Sequence, residues 1–327
     1  MRAVGIWDFG GPEVLQPLDL PEPEVGPGQV KVAVTFAGVN PTDTLRREGI
    51  KAVDASPDEM VRAQPRPLVP GMEVAGVVEE IGPDTETALA VGDHVIGFLF
   101  PNGAHGGYSE KLVLPADSVA LAPSNVDDAA AATIALNGMT ARLALDELGL
   151  TAGQTLAVTG AAGAVGAFVV QLAAVDGIRV VADAAPADEE YLRQVGAEWV
   201  VARGDDVVDR FREAVPGGTD ALVDAAILNE KVVGAVKPGG ILVTLRHYST
   251  DPIDGVSFVP VRVRTYVHEQ AKLDALARLV EAGKLTLRPT DVYAATDAPA
   301  AHARLAQGGN RRRIVLAFGD SDVAQSE

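Results

Sequence analysis

The run Gly160-Ala161-Ala162-Gly163-Ala164-Val165-Gly166 constrains this chain more than any other stretch. It lies inside 28 consecutive uncharged residues, 148–175, which is enough chain to cross a bilayer. Five glycines within that stretch (149, 153, 160, 163 and 166) argue against a continuous membrane helix. A β-type run, Thr155–Thr159, precedes the motif, and a helix-type run to Val175 follows it. A buried strand, a tight turn and a helix account for both. Small residues at such a boundary leave backbone N–H groups bare and aimed, with the helix N-terminus, at a bound anion. The diphosphate of a dinucleotide is the ligand that this geometry suits, and Gly166 would let helix and strand pack closely. Ala161 replaces the first glycine of G-x-G-x-x-G, so the spacing is G-x-x-G-x-x-G. The candidate phosphate contacts are therefore Gly160, Ala161, Gly163, Ala164, Val165 and Gly166. A tight turn without a ligand is the plainer alternative.

The end of the next strand tests the idea, because an acidic residue there commonly meets the ribose of NAD. Asp183 lies 17 residues beyond Gly166, at the end of Val180-Val181-Ala182. Asp188, Glu189 and Glu190 follow it. That surrounding repels a 2′-phosphate, so local charge favours NADH over NADPH. Arg203, after the following strand, is the cation that would reverse the preference and leaves the choice open. The alternative role for Asp183 is to cap a helix.

Strands and helices alternate around this motif. Strand candidates are Thr155–Thr159, Arg179–Ala182, Trp199–Ala202, Asp220–Asp224 and Ile241–Leu245, with helices at 164–175, 188–195, 206–214 and 229–235. Such alternation predicts an α/β domain with a parallel, doubly wound sheet of the Rossmann type. Pro238-Gly239-Gly240 reads as a turn between a helix and a strand. Residues 1–125 differ in texture. Short β-branched runs such as Val30-Lys31-Val32-Ala33-Val34 alternate with Pro/Gly clusters, which suggests a small β-rich barrel. The polar segment from Ile50 to Pro70 reads as a loop with at most one helical turn. Asp127–Leu150 reads as helical, interrupted at Asn137-Gly138. Gln270–Ala282 is an amphipathic helix with Leu273, Leu276, Leu279 and Val280 on one face, and the chain returns to β runs ending at Arg313–Phe318.

Composition narrows the function classes. A length of 327 residues suits two domains. Zero cysteine excludes disulfides, iron–sulfur clusters and Cys-built zinc sites, and agrees with a cytoplasmic setting. A net charge of −18 repels nucleic acid and anionic membranes, and the start of the chain lacks the apolar stretch of a signal peptide. Arg311-Arg312-Arg313 is the one basic run and reads as a solvated turn.

Several blocks in order resemble the medium-chain dehydrogenase/reductase superfamily, in its zinc-free quinone oxidoreductase-like branch. They are Phe9-Gly10-Gly11-Pro12-Glu13-Val14-Leu15, Ala37-Gly38-Val39-Asn40-Pro41-Thr42-Asp43, Val69-Pro70-Gly71-Met72-Glu73-Val74-Ala75-Gly76-Val77-Val78, Val91-Gly92-Asp93-His94-Val95, Gly106-Gly107-Tyr108-Ser109-Glu110, the glycine turn, and Lys237-Pro238-Gly239-Gly240. The resemblance implies a GroES-like barrel catalytic domain over 1–125 and 285–327, a Rossmann dinucleotide-binding domain over 126–284, and a cofactor in the cleft between them. It also implies a homodimer acting on a small molecule.

Metal-using relatives carry Cys where Asn40 stands and His where Met72 stands. Neither residue present suits zinc, and the five histidines (94, 105, 247, 268 and 302) have no ligand spacing, so the expectation is no metal. Without a Lewis acid, reduction of a quinone or an α,β-unsaturated carbonyl by NADH or NADPH is easier than alcohol oxidation. The resemblance further places Asn40 near the nicotinamide, and Asn137 and Thr140 near the cofactor. The backbone of Leu245 falls at a strand end, where ligands of open sheets bind. The tyrosine that some enoyl-reducing relatives use as proton donor is replaced by Leu45, which leaves no assigned catalytic acid. Asn40, Tyr108 and His247 are candidates, with His105 and Tyr248 behind them. The rival readings are a dinucleotide-binding sensor or structural protein without turnover, and a biosynthetic tailoring reductase with one bulky substrate.

Overall fold

The computed structural model describes residues 1–49 and 64–319. The loop expected from Ile50 falls largely outside the described residues. The strands, in chain order, are β1 (Arg2–Gly5), β2 (Gln16–Asp19), β3 (Gln29–Gly38), β4 (Glu73–Ile81), β5 (His94–Phe98), β6 (Lys111–Pro115), β7 (Val119–Leu121), β8 (Thr155–Thr159), β9 (Arg179–Ala184), β10 (Ala197–Ala202), β11 (Thr219–Asp224), β12 (Val236–Thr244), β13 (Ser257–Pro260), β14 (Thr290–Ala294) and β15 (Arg313–Ala317). They divide between two compact units. The first comprises Met1–Leu136, Arg264–Glu281 and the chain from Leu287; the second comprises Asn137–Val263 with Ala282–Thr286. The helix Gln270–Glu281, placed in the dinucleotide domain from sequence, groups with the first unit.

In the first unit, a sheet of order β14-β15-β3-β4-β5-β7, with β6 also on β3, is antiparallel except for the β14–β15 pair. Alternation along β3 and β4 sends Val30, Val32, Val74 and Val78 into a core that also holds Leu112, Leu114, Ile314 and Leu316. The last strand is thus drawn back against the first third of the chain.

The second unit is the expected Rossmann-like α/β fold. Its six parallel strands run in the order β10-β9-β8-β11-β12-β13. Order reverses between β8 and β11, so the carboxyl ends of those neighbours flank the crevice where ligands of such sheets bind. Strands buried on both faces need apolar residues throughout, and Leu156, Ala157 and Val158 of β8 are all fully buried. The uncharged stretch resolves into β8 and the helix Ala164–Val175. No helix among the described residues is long and apolar enough to cross a membrane.

Three local expectations need correction. The helix Ala135–Leu148 runs unbroken through Asn137-Gly138, because burial of Met139, Ala141, Ala144 and Leu145 outweighs the roughly 1 kcal/mol that a helical glycine costs. Asn229–Ala235 is a 3-10 helix, not an α-helix. Pro238-Gly239-Gly240 lies inside β12. There the pairing with β11 slips between Thr219↔Val236 and Ala221↔Ile241, and Gly239 takes a φ of 86°. Pro lacks an N–H for the ladder and is accommodated at this irregularity.

Candidate functional site

The glycine turn joins β8 to the helix Ala164–Val175, and each glycine has its own reason. Gly160 has a φ of 59°, and a Cβ there would stand 2.9 Å from the carbonyl carbon of Ala225. A Cβ on Gly166 would come within 2.3 Å of the Gly160 carbonyl oxygen. Gly163 caps the helix with extended backbone, and its N–H closes the turn onto the Gly160 carbonyl at 2.8 Å. The N–H groups of Ala164, Val165 and Gly166 belong to the first helical turn and have no acceptor within the helix. A side chain at position 166 would collide with the turn's own backbone at Gly160 and Ala161, so glycine there lets the helix pack closely on the turn. This turn suits a diphosphate, with those three N–H groups as its donors.

The structure brings Asp183, Ala161, Gly160 and Arg203 together beside the turn. The Asp183 carboxylate is 6% exposed and accepts the Ala161 N–H at 3.2 Å. Burial raises its pKa; the Ala161 and Gly160 N–H groups and the nearby Arg203 oppose that rise. Arg203 itself lies 3.5 Å from the Asp188 carboxylate. Asp183 therefore ties down the turn from beneath rather than capping a helix.

Asp224 went unnoticed in the sequence. It ends β11 fully buried, accepting the Thr159 hydroxyl at 2.6 Å and the Asn229 N–H at 2.6 Å. The only signal was a lone acid closing the apolar run Ala221-Leu222-Val223. Its bonds lock the carboxyl ends of β8 and β11 at the strand-order reversal. Strain gathers at the same edge. Ile227 and Asn229 follow β11, Arg246 and His247 follow β12, and all four adopt positive φ between 54° and 61°. Such backbone costs about 1 kcal/mol or more per non-glycine residue and concentrates at functional edges. Leu245 sits between β12 and this strained pair, half-buried. His247 is half-buried, and burial together with Arg262 lowers its pKa. Asn137 and Thr140 are buried in the helix Ala135–Leu148.

The first unit holds the remaining candidates. Asn40, 1% exposed, precedes the helix Pro41–Glu48 and is committed internally. Its amide nitrogen donates to Glu73 at 2.8 Å, and its amide oxygen accepts from Arg313 at 2.8 Å. Glu73 also accepts the Leu136 N–H at 2.8 Å and lies 3.3 Å from Arg313. Burial raises the pKa of Glu73 while Arg313 and Asn40 lower it. Arg313 therefore belongs to a buried ion pair, not to a solvated turn.

Tyr108 is fully buried, and its hydroxyl contacts His302 Nε2 at 3.0 Å and faces Asp43, so it is not placed to protonate a substrate. Tyr248 donates its hydroxyl to Glu230, and His105 Nε2 meets the Val113 carbonyl at 2.8 Å. Of the candidate acids, His247 keeps a half-buried ring that no internal hydrogen bond holds among the described residues. The donor set does not suit zinc. Asn40 is spent on Glu73 and Arg313, Met72 offers only a thioether, and among the described residues no three His, Asp or Glu side chains converge.

Comparison with known proteins agrees with this architecture. Residues 26–124 match the alcohol dehydrogenase GroES-like domain, and residues 195–316 match the zinc-binding dehydrogenase family. The quinone oxidoreductase of Pseudomonas aeruginosa is 30% identical over 319 residues, covering 91% of this chain and 94% of that one. The chain belongs to the medium-chain dehydrogenase/reductase superfamily, in its quinone oxidoreductase-like branch. Another member, the 2-methylene-furan-3-one reductase of Solanum lycopersicum, is 32% identical over 268 residues. That match covers 79% of this chain but 65% of the tomato enzyme, so the chain spans about two thirds of that relative's length. Among solved structures, an NAD-dependent alcohol dehydrogenase superposes with a TM-score of 0.83 at 29% identity, covering 98% of this chain and 100% of that one. The family's GroES-like domain corresponds to strands of the first unit, and the second unit carries its Rossmann-like sheet.

Proposed function

We propose that this protein is an NAD(P)H-dependent oxidoreductase that reduces a quinone or an α,β-unsaturated carbonyl without zinc. The observation that carries the reading is the glycine turn at the start of the helix Ala164–Val175, packed so closely that a Cβ on Gly166 would come within 2.3 Å of the Gly160 carbonyl oxygen. The names of the relatives, a quinone oxidoreductase and a 2-methylene-furan-3-one reductase, supply the acceptor class.

A bound nicotinamide dinucleotide supplies the hydride. The residues of the chain do the rest. The turn holds the diphosphate, and Asp183 fixes the turn's geometry from below. Arg203 is engaged by Asp188, and Glu189 and Glu190 add negative charge, so the cofactor favoured is NADH. The backbone of Leu245 faces the nicotinamide end, at the carboxyl edge of β12. His247, kept neutral above its lowered pKa, offers a ring N–H to an acceptor carbonyl rather than a full proton. The charge that forms on a conjugated acceptor spreads over its oxygen and is quenched from water, so no metal is needed. Cytoplasmic residence and a homodimer complete the proposal, on the lack of cysteine and on family likeness respectively.

The test is NADH and NADPH oxidation by a panel of quinones and enones, after dialysis against a chelator. Turnover that survives dialysis supports the reading. Cofactor binding with no turnover on any acceptor would replace it with a sensor, and activity restored only by zinc would remove the metal-free step.

A further inference from the structure

Four buried polar side chains of the first unit form a line that the proposed chemistry does not use. Arg47, on the helix Pro41–Glu48, is 2% exposed, and its Nη1 lies 3.2 Å from His302 Nδ1. His302, on the helix Ala298–Ala306, is fully buried, and its Nε2 lies 3.0 Å from the Tyr108 hydroxyl. Tyr108 in turn faces Asp43. The two Asp43 oxygens accept the Asn40 N–H at 2.9 Å and the Gly71 N–H at 3.0 Å. Asp43 thus joins the start of the helix Pro41–Glu48 to the segment leading into β4.

Elementary chemistry sets the direction of every bond in this line. A guanidinium only donates, so His302 Nδ1 must accept, and the single ring proton must sit on Nε2. That N–H donates to the Tyr108 oxygen, so the hydrogen of Tyr108 has to turn away from His302 and toward Asp43. Burial and Arg47 hold the His302 pKa down to about 3, which keeps the ring neutral and the order intact at ordinary pH.

We propose that His302 is a positioning residue: by keeping its ring proton on Nε2 it aims the Tyr108 hydroxyl at Asp43 and so favours the ionised form of that carboxylate, the clamp between the Asn40 and Gly71 segments. The charged and titratable groups around Asp43 are Arg46 on its own helix, Glu73 from β4, Arg313 from β15 and Tyr108 from the segment before β6. Arg47 and His302 stand behind Tyr108. Burial raises the pKa of Asp43 to about 7, the Asn40 and Gly71 N–H groups and Arg46 oppose the rise, and Glu73 adds to it. A carboxylate balanced so near neutrality responds visibly to the loss of one donor.

The experiment is carbon-13 NMR of the full chain labelled at the aspartate γ-carboxyl. The Asp43 resonance is the one missing from both Asp43→Asn and Asp43→Glu. It needs neither cofactor nor acceptor, so its outcome is separate from that of the reductase reading. Tyr108→Phe, which deletes one oxygen, should raise the Asp43 midpoint by about one pH unit, about a tenfold change in its ionisation constant. His302→Leu should do the same. His302→Gln, whose amide can accept from Arg47 and donate to Tyr108, should restore the original midpoint. An unmoved midpoint in Tyr108→Phe overturns the proposal even if His302→Leu fails to fold. A shift in His302→Leu that His302→Gln does not rescue overturns the positioning role of the ring.

Discussion

The backbone N–H of Ala161 donates to the carboxylate of Asp183 at 3.2 Å, joining the second residue of the glycine turn to the end of β9. One side chain thus both shapes the glycine turn and sets the charge beside it. Asp183→Ala leaves that N–H without its acceptor, a loss of about 1–3 kcal/mol. NADH affinity should fall about tenfold or more. NADPH affinity should fall less, because a negative charge beside Arg203 is gone. Fluorescence titration with both cofactors measures this, and an equal loss for the two would show that Asp183 acts through shape alone.

Gly166→Ala places a methyl group 2.3 Å from the Gly160 carbonyl oxygen, which is rigid backbone. Overpacking of this kind costs about 1–3 kcal/mol. The thermal midpoint should drop by several degrees, and cofactor binding should be lost or nearly so. Calorimetry with and without cofactor reads both effects; a variant that keeps full affinity would move the diphosphate away from this turn.

The Glu73–Arg313 pair is 3.3 Å apart with side chains 0% and 9% exposed. Arg313→Met strands the Glu73 carboxylate in the core, and breaking a buried pair costs about 3–5 kcal/mol. Glu73→Gln added to Arg313→Met should recover part of that loss, since the uncompensated charge is removed. Urea unfolding of the two variants measures the difference.

His302 carries a pH prediction with a definite sign. Its pKa falls from 6.5 to about 3 in the folded chain. Between those values the unfolded chain takes up a proton that the folded chain refuses. The contribution is therefore complete above pH 6.5 and is lost as pH falls toward 3. His302→Gln should flatten this part of the urea-midpoint profile; an unchanged slope would assign acid sensitivity to other groups.

Much of the second unit was legible from the chain. The helix at 164–175 and the strand Thr155–Thr159 appear with the expected bounds, because apolar runs and glycine punctuation are local signals. The expectation failed where two local signals competed. Asn137-Gly138 looked like a break and is helix; Pro238-Gly239-Gly240 looked like a turn and is an irregular stretch of strand.

Sequence alone determined the alternating architecture, the placement of the glycine turn at a strand-to-helix boundary, and the absence of cysteine ligands. Each is a property of neighbouring residues or of composition. Tertiary structure alone decided that Asp183 bonds the turn, that Arg313 pairs with Glu73 across 240 residues, and that Tyr108 meets His302 across 194. Those partners depend on which strands become neighbours. A side chain's type states what bonds it can make, but only the packed chain states which partner is within reach and whether water competes for it.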